Sequence, residues 1–172
     1  MTQEVYFIMK KIIPLIKDIR EIKTKGPWKT KSDGDLMIAF ALSLKNDLQK
    51  FFKYDTREMK KIPDIRGLRC YTINNLSKNK IGGGEFHRLR QEIVFALEGS
   101  VRWECEDLQG QKIDIILNSQ NGVWIPPFIL HSYQVLEEGS KLVAIANTLF
   151  DHNDPQTHDT FPLTEFQKLQ YR

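Results

Sequence analysis

Two of the chain's four histidines and two of its glutamates stand in stretches marked by glycine and proline. Glu85, His87 and Glu92 follow Gly82-Gly83-Gly84, and His131 follows Pro126-Pro127. Imidazoles and carboxylates exchange protons near neutral pH once burial or a neighbouring charge tunes them. Residues two apart on a strand project to one side, so Glu85 and His87 share a face, and a turn over Arg88 to Gln91 lets Glu92 join them from the next strand despite its opposite parity. His131, at the start of a later strand, reaches the same interior if the sheet closes. Consecutive glycines give permissive backbone and paired prolines rigid backbone, both of which a shaped pocket needs. Two chemistries suit the set. One is proton transfer, in which two glutamates sharing a pocket push one pKa upward; the other is binding of iron, manganese or zinc by two histidines and two carboxylates.

The elements that would hold these groups are strands. From about residue 66 onward, apolar or alternating runs closed by turn residues predict antiparallel strands at Leu68 to Ile73, around Phe86, and at Glu92 to Leu97, Val101 to Cys105, Lys112 to Leu117, Val123 to Ile125, His131 to Val135 and Lys141 to Ala146. Gly99-Ser100, Asp107 to Gly110, Asn118 to Gly122 and Glu137 to Ser140 supply the turns. Such a series predicts an all-β jelly roll or small barrel over residues 61–172, tail included. Ile93 to Leu97 is apolar on both faces and needs a cover outside as well as inside. The N-terminal segment or a second copy could supply it; because the C-terminal tail reads as short and polar, a homodimer is expected. Residues 1–60 form a mixed extension of the same domain, with strands expected at the N-terminus and at Leu36 to Ala41 and a helix over Lys45 to Phe52. Ile12, Ile16, Ile19 and Ile22 recur at near-helical spacing despite Pro14.

A chain of 172 residues is one domain able to bury a continuous core, and a net charge of +3 points to no nucleic-acid partner. The densest basic run, Lys23 to Lys31, lacks interleaved aromatics apart from Trp28 and reads as a solvated loop. Val5 to Met9 is cut short by Lys10 and Lys11, leaving too little for a membrane span or an export signal. Cys70 and Cys105 match neither a zinc pair nor a redox motif, so both read as reduced core thiols of a cytoplasmic protein. His152 and His158, among Asp151, Asp154 and Asp159, read as a solvated tail rather than a second metal site, and Trp103 and Trp124 as core or interface, with pocket lining as a second reading for Trp124, which precedes the pocket strand.

The pattern Glu85-x-His87-x4-Glu92-x6-Gly99 resembles the first motif of the cupins, with Glu85 in place of its first histidine, and Gly122 through His131 resembles the second. Within the cupins the chain is most similar to the nucleotide-sugar 3,4-ketoisomerases, which carry RG-x-HAHK-x-x-x-Q, an LxGS turn and GLYIPP-x-x-WH. Here stand Gly82 through Arg88, Leu97-Glu98-Gly99-Ser100 and Gly122-Val123-Trp124-Ile125-Pro126-Pro127 through His131. Arg69 to Ile73 resembles the family's KR-x-Y strand, and Phe150 to Asp154 with His158, Asp159 and Phe161 resembles its acidic tail. The resemblance implies a double-stranded β-helix and a dimer. It also implies metal-independent proton transfer through an enediol on a dTDP-4-keto-6-deoxyhexose, in the synthesis of surface-polysaccharide sugars. His87 and Glu85 would move the proton and His131 and Tyr133 would orient the ketone, with Arg69, Tyr71, Arg88, Glu92 and Trp124 on the substrate. The chain departs from the family at Gly82, where the motif has arginine, at Glu85 and at Glu92, where it has glutamine. Glutamate at 92 is what metal-binding cupins carry, so a divalent iron, manganese or zinc site of Glu85, His87, Glu92 and His131 stays open beside the metal-free reading, as does a non-catalytic sugar-binding cupin.

Overall fold

The alternation of apolar and polar residues is satisfied by two antiparallel sheets facing each other, in a computed structural model that describes residues 13–170. In chain order the elements are β1 (Arg20–Lys23), β2 (Lys25–Lys29), β3 (Asp35–Ile38), α1 (Leu44–Leu48 running on as Gln49–Phe51), α2 (Thr56–Met59), β4 (Arg66–Leu76), β5 (Ile81–Phe86), β6 (Glu92–Glu98), β7 (Val101–Glu106), β8 (Lys112–Leu117), β9 (Asn121–Ile125), β10 (Leu130–Val135), β11 (Ser140–Thr148), β12 (Phe161–Pro162) and α3 (Leu163–Gln170). One sheet runs β1-β9-β6-β11-β4, the other β12-β5-β10-β7-β8, and β2-β3 is a separate hairpin. This is the expected all-β jelly roll.

Alternate residues of each strand fill the space between the sheets, among them Val94, Ala96, Val101, Val123, Ile125, Leu142 and Ala144. The residues between them point outward, and Ile93, Phe95 and Trp124 form a second apolar cluster with Phe51. Ile93 and Phe95 are therefore covered by this chain's own N-terminal extension, while Leu97 on the same face stays half exposed. Phe40 stacks on Phe95 with centroids 5.4 Å apart, and Phe51 meets Trp124 edge-on at 5.6 Å. The start of α1 is held by Ser43 and Asp47, whose side chains take up each other's backbone N–H groups, and Arg20 of β1 reaches Asp47 at 2.9 Å.

Several local expectations change. The near-helical isoleucine spacing yields only one turn, Ile16–Asp18, before β1, because the free edge of β9 offers four paired positions to an extended segment. The basic run contains β2, which is exposed throughout, and the predicted strand Leu36 to Ala41 becomes β3, paired with β2 rather than with the barrel. The start of the N-terminus, where a strand is expected, lies outside the described residues. The tail is not merely polar: α3 buries Phe166 completely against Phe86, centroids 5.3 Å apart. Cys105 is buried as expected, whereas Cys70 is exposed on β4. Among the described residues no helix is long and apolar enough to cross a membrane.

Phe51, 1% exposed, is the keystone of the outer cluster. Phe51→Ala is expected to cost about 3–5 kcal/mol of stability in urea denaturation. A loss under about 1 kcal/mol, the size of a surface change, would show that the extension does not depend on this contact.

Candidate active site

A bulge in β5 aims the pocket residues. Tyr133 pairs with Gly82, Ser132 with Gly83 and His131 with Glu85, so Gly84 is the extra residue. Gly83 and Gly84 have φ of +76° and +84°, and a side chain at Gly83 would put its Cβ 2.9 Å from the His131 carbonyl oxygen. The extra residue lets Gly82 and Glu85, three apart, both face inward. Tyr133 lies over Gly82, and any Cβ there would collide with its ring.

His87 lies one residue beyond β5 and is fixed from two sides. Its carbonyl accepts the Phe128 N–H at 2.7 Å, and its Nδ1 meets the Asp159 carbonyl oxygen at 2.5 Å. The turn that follows wraps around the Asp159 carboxylate, which accepts the N–H groups of Arg88, Leu89 and Arg90 at 3.0, 2.8 and 2.7 Å. That turn delivers Glu92 to the interior. The Glu92 carboxylate accepts the Tyr71 hydroxyl at 2.7 Å and Arg90 Nη1 at 3.3 Å, and its second oxygen lies 3.6 Å from His87 Nε2 and 3.7 Å from His131 Nε2. A carbonyl oxygen only accepts, so the hydrogen of neutral His87 sits on Nδ1. The same holds for His131, whose Nδ1 donates to the Ile129 oxygen at 3.0 Å. Both Nε2 lone pairs are thereby turned into the cavity. Trp103 stacks on His131 and Tyr133, centroids 5.7 and 5.4 Å away, and the Arg69 guanidinium lies between the rings of Tyr71 and Phe150.

Burial alone would raise the Glu92 pKa, but the neighbouring His87, the Arg90 guanidinium and His131 outweigh it and hold the carboxyl well below its usual 4.5. The carboxyl with the raised pKa expected from two glutamates sharing a pocket is therefore not Glu92. Burial first, then the neighbouring His87 ring, pushes His131 down to about 4. Burial and the neighbouring Glu92 carboxylate raise the Tyr71 hydroxyl, while burial and then Arg90 lower Arg69.

Glu85, His87, Glu92 and His131 are thus brought together, with Arg69, Tyr71 and Tyr133 around the same interior. Arg88 and Trp124 are not there. Arg88 lies over the Phe161 ring at 4.3 Å and 3.8 Å from Glu58, and Trp124 points outward to donate its Nε1 hydrogen to Gln91 at 2.9 Å. Both instead line a surface cleft of about 890 Å³ with Lys50, Lys53 and Tyr54. Arg90 and Asp159 are site residues the sequence does not announce, whereas Trp103 is core as expected and also walls the site. The one signal for Arg90 is its spacing, two before Glu92, and for Trp103 its alternation with Val101 and Cys105. Asp159 was placed in a solvated tail yet is fully buried, while His152 is exposed and His158 is engaged with Asp151 and Phe150.

Ligand-type atoms of Glu85, His87 and His131 lie within 4.8 Å of one another. Glu92, the fourth member of the metal set, is committed to Tyr71 and Arg90, and Arg90 Nη1 stands 3.4 Å from His87 Nε2. A dication on that nitrogen would face a guanidinium at close range, which weighs against a metal there while Arg90 stays in place.

A jelly roll with imidazoles, carboxylates and a guanidinium converging between its sheets has the architecture of a small-molecule cupin. The profile of the WxcM-like, C-terminal family (FdtA) matches residues 45–163, and the chain belongs to that family. Solved structures share the fold. A 3,4-ketoisomerase from Helicobacter canadensis superposes with a TM-score of 0.64 at 16% identity over 90% of this chain and 98% of its own. A double mutant of the QdtA 3,4-ketoisomerase from Thermoanaerobacterium thermosaccharolyticum, in complex with TDP, gives 0.62 at 21% over 92% and 98%. The TDP-fucose-3,4-ketoisomerase WlaRA from Campylobacter jejuni gives 0.60 at 18% over 89% and 96%. No curated protein matches the chain.

The depressed His131 pKa makes stability depend on pH. The unfolded chain binds a proton near 6.5 and the folded one near 4, so this contribution is complete above pH 6.5 and is lost as pH falls toward 4. Folding free energy from denaturant titrations is expected to fall on the order of 3 kcal/mol across that window, and His131→Gln to flatten the slope. An unchanged slope in the variant would contradict this assignment.

Proposed function

We propose that the chain is a nucleotide-sugar ketoisomerase that shifts the carbonyl of a dTDP-4-keto-6-deoxyhexose between adjacent carbons without a metal. The observation that carries this reading is the His87 ring, locked by the Asp159 carbonyl so that its Nε2 lone pair enters a cavity shared with Glu85, Glu92 and His131. Membership of the family and the fold shared with 3,4-ketoisomerases support it.

A hydrogen beside a ketone is acidic because the electron pair left behind moves onto the carbonyl oxygen. His87 Nε2 takes the C3 proton, the C3–C4 bond becomes double, and the C4 oxygen acquires the charge. Glu85 returns a proton to C4 while the C3 hydroxyl proton passes to the C4 oxygen, so that C3 becomes the carbonyl and C4 the alcohol; the proton held by His87 then restores Glu85, and the exchange needs no oxidant or reductant. Tyr133, beside Glu85, donates its hydroxyl to the starting ketone. Neutral His131, with Nε2 bare, accepts a sugar hydroxyl rather than polarising the ketone. Arg69 and Tyr71 line the approach to this interior. The reaction belongs with cytoplasmic synthesis of surface-polysaccharide sugars. Assembly as a homodimer would use the exposed apolar hairpin of Trp28, Leu36, Met37 and Ile38, since Ile93 and Phe95 of β6 are already covered within the chain.

His87→Asn is expected to keep the fold and to lower turnover of dTDP-4-keto-6-deoxyglucose by about 10²–10⁴-fold, read by proton NMR of the product. Undiminished turnover in the variant would remove His87 as the base. Protein purified without chelator is expected to carry far less than one metal per chain, and stoichiometric metal lost on His87→Asn would favour the metal reading instead.

A further inference from the structure

We propose that Arg90 is a catalytic residue, whose guanidinium holds the oxygen that gains negative charge when the keto sugar is enolised; this rests on the ketoisomerase reading above. The motif that the chain resembles leaves this position open.

The Arg90 side chain is only 5% exposed, yet its hydrogen bonding is incomplete. Nη1 approaches Glu92 at 3.3 Å and His87 at 3.4 Å, Nη2 approaches Thr160 at 3.3 Å, and Nε is buried with no partner among the described residues. A guanidinium whose only work was to neutralise Glu92 would close on it in a bidentate pair at about 2.7–2.9 Å. Five donors with no contact shorter than 3.3 Å are a buried charge with capacity to spare, which is costly unless an acceptor arrives. The neighbour of Nη1 is the nitrogen assigned to take the C3 proton, so the oxygen of the adjacent C4 carbonyl falls within the same reach.

The sequence departure at Gly82 supports the assignment. The related motif carries arginine there, but in this chain the Tyr133 ring occupies the space a side chain would need. Arg90 brings a guanidinium into the interior from the turn instead. Its backbone is fixed by the 2.7 Å bond to the Asp159 carboxylate, so the group is in position before substrate arrives. In the proposed step the C3–H bond breaks, its proton goes to His87 Nε2, its electron pair forms the C3–C4 double bond, and the carbonyl π pair moves onto O4. Arg90 N–H groups meet that O4 anion.

The test compares the full chain with Arg90→Ala and Arg90→Lys, using dTDP-4-keto-6-deoxyglucose turnover, TDP affinity by calorimetry and thermal unfolding. Arg90→Ala is expected to lower kcat about 10²–10³-fold, the range for losing one oxyanion donor, while TDP affinity stays near the parent's. Added guanidinium is expected to restore part of the Arg90→Ala rate, which a purely structural role would not show. Arg90→Lys guards against misfolding: it keeps the charge and is expected to retain TDP binding with reduced kcat. Unchanged kcat in both variants overturns the proposal. So does a loss of TDP affinity with kcat preserved, which would make Arg90 a diphosphate binder. A parent chain that binds TDP but neither converts the keto sugar nor exchanges its C3 hydrogen with deuterated water overturns the ketoisomerase reading itself, and this proposal with it.

Discussion

A carboxylate 3% exposed between two apolar sheets is tolerable only if charge and hydrogen bonds meet it from every side, and that requirement organises the molecule around Glu92. Tyr71 comes from β4, His87 from the end of β5, Arg90 from the following turn and His131 from β10. No two of these groups reach Glu92 from the same strand, so the barrel must close correctly before the charge is satisfied. The same closure collects the groups that would do chemistry. Buried polar networks of this kind stabilise only when every member is placed, because a missing partner leaves a charge stranded in low dielectric.

Asp159 is the strut of that arrangement. Its carboxylate shapes the turn that delivers Arg90 and Glu92, and its carbonyl sets the His87 hydrogen on Nδ1. The tail carrying it is anchored on both sides. Phe150, before it, lies against Arg69, and β12 and α3, after it, pack Phe161 and Phe166 on Phe86. A segment that looks peripheral in the chain is therefore part of the site wall. On the opposite side, Phe51 and Phe40 press on Trp124 and Phe95, steadying β9 and β6 from outside. Rigidity on both flanks suits a reaction whose acid, base and oxyanion donor must be in position in advance.

The barrel strands were legible because alternation is local, and a buried sheet face imposes it wherever the chain runs extended. The convergence of Glu85, His87, Glu92 and His131 was legible for the same reason, helped by the glycine and proline markers. Turns carry no such period. Arg88 and Arg90 lie on one turn, and only Asp159, some 70 residues away in sequence, decides that Arg90 faces in and Arg88 out. Trp124 is the buried core residue its type suggests, but β9 is buried on both faces, so its apolarity does not say which side it takes, and it faces the outer cluster rather than the pocket. The outer cover of Ile93 to Leu97 was left between a second copy and the extension, and aromatic residues at 40 and 51 settle it for Ile93 and Phe95 only once folded.

Whether Glu92 is held ionised against Arg90 and the two histidines is open to direct observation. Carbon-13 NMR of chain labelled at glutamate side-chain carboxyls, assigned by Glu92→Gln, reports the protonation of this one group. The arrangement described here predicts a Glu92 carboxylate signal that stays ionised from neutral pH down through its usual value of 4.5, until the protein unfolds. A Glu92 signal that titrates near neutrality would mean a protonated, uncompensated acid in the barrel and would contradict the account.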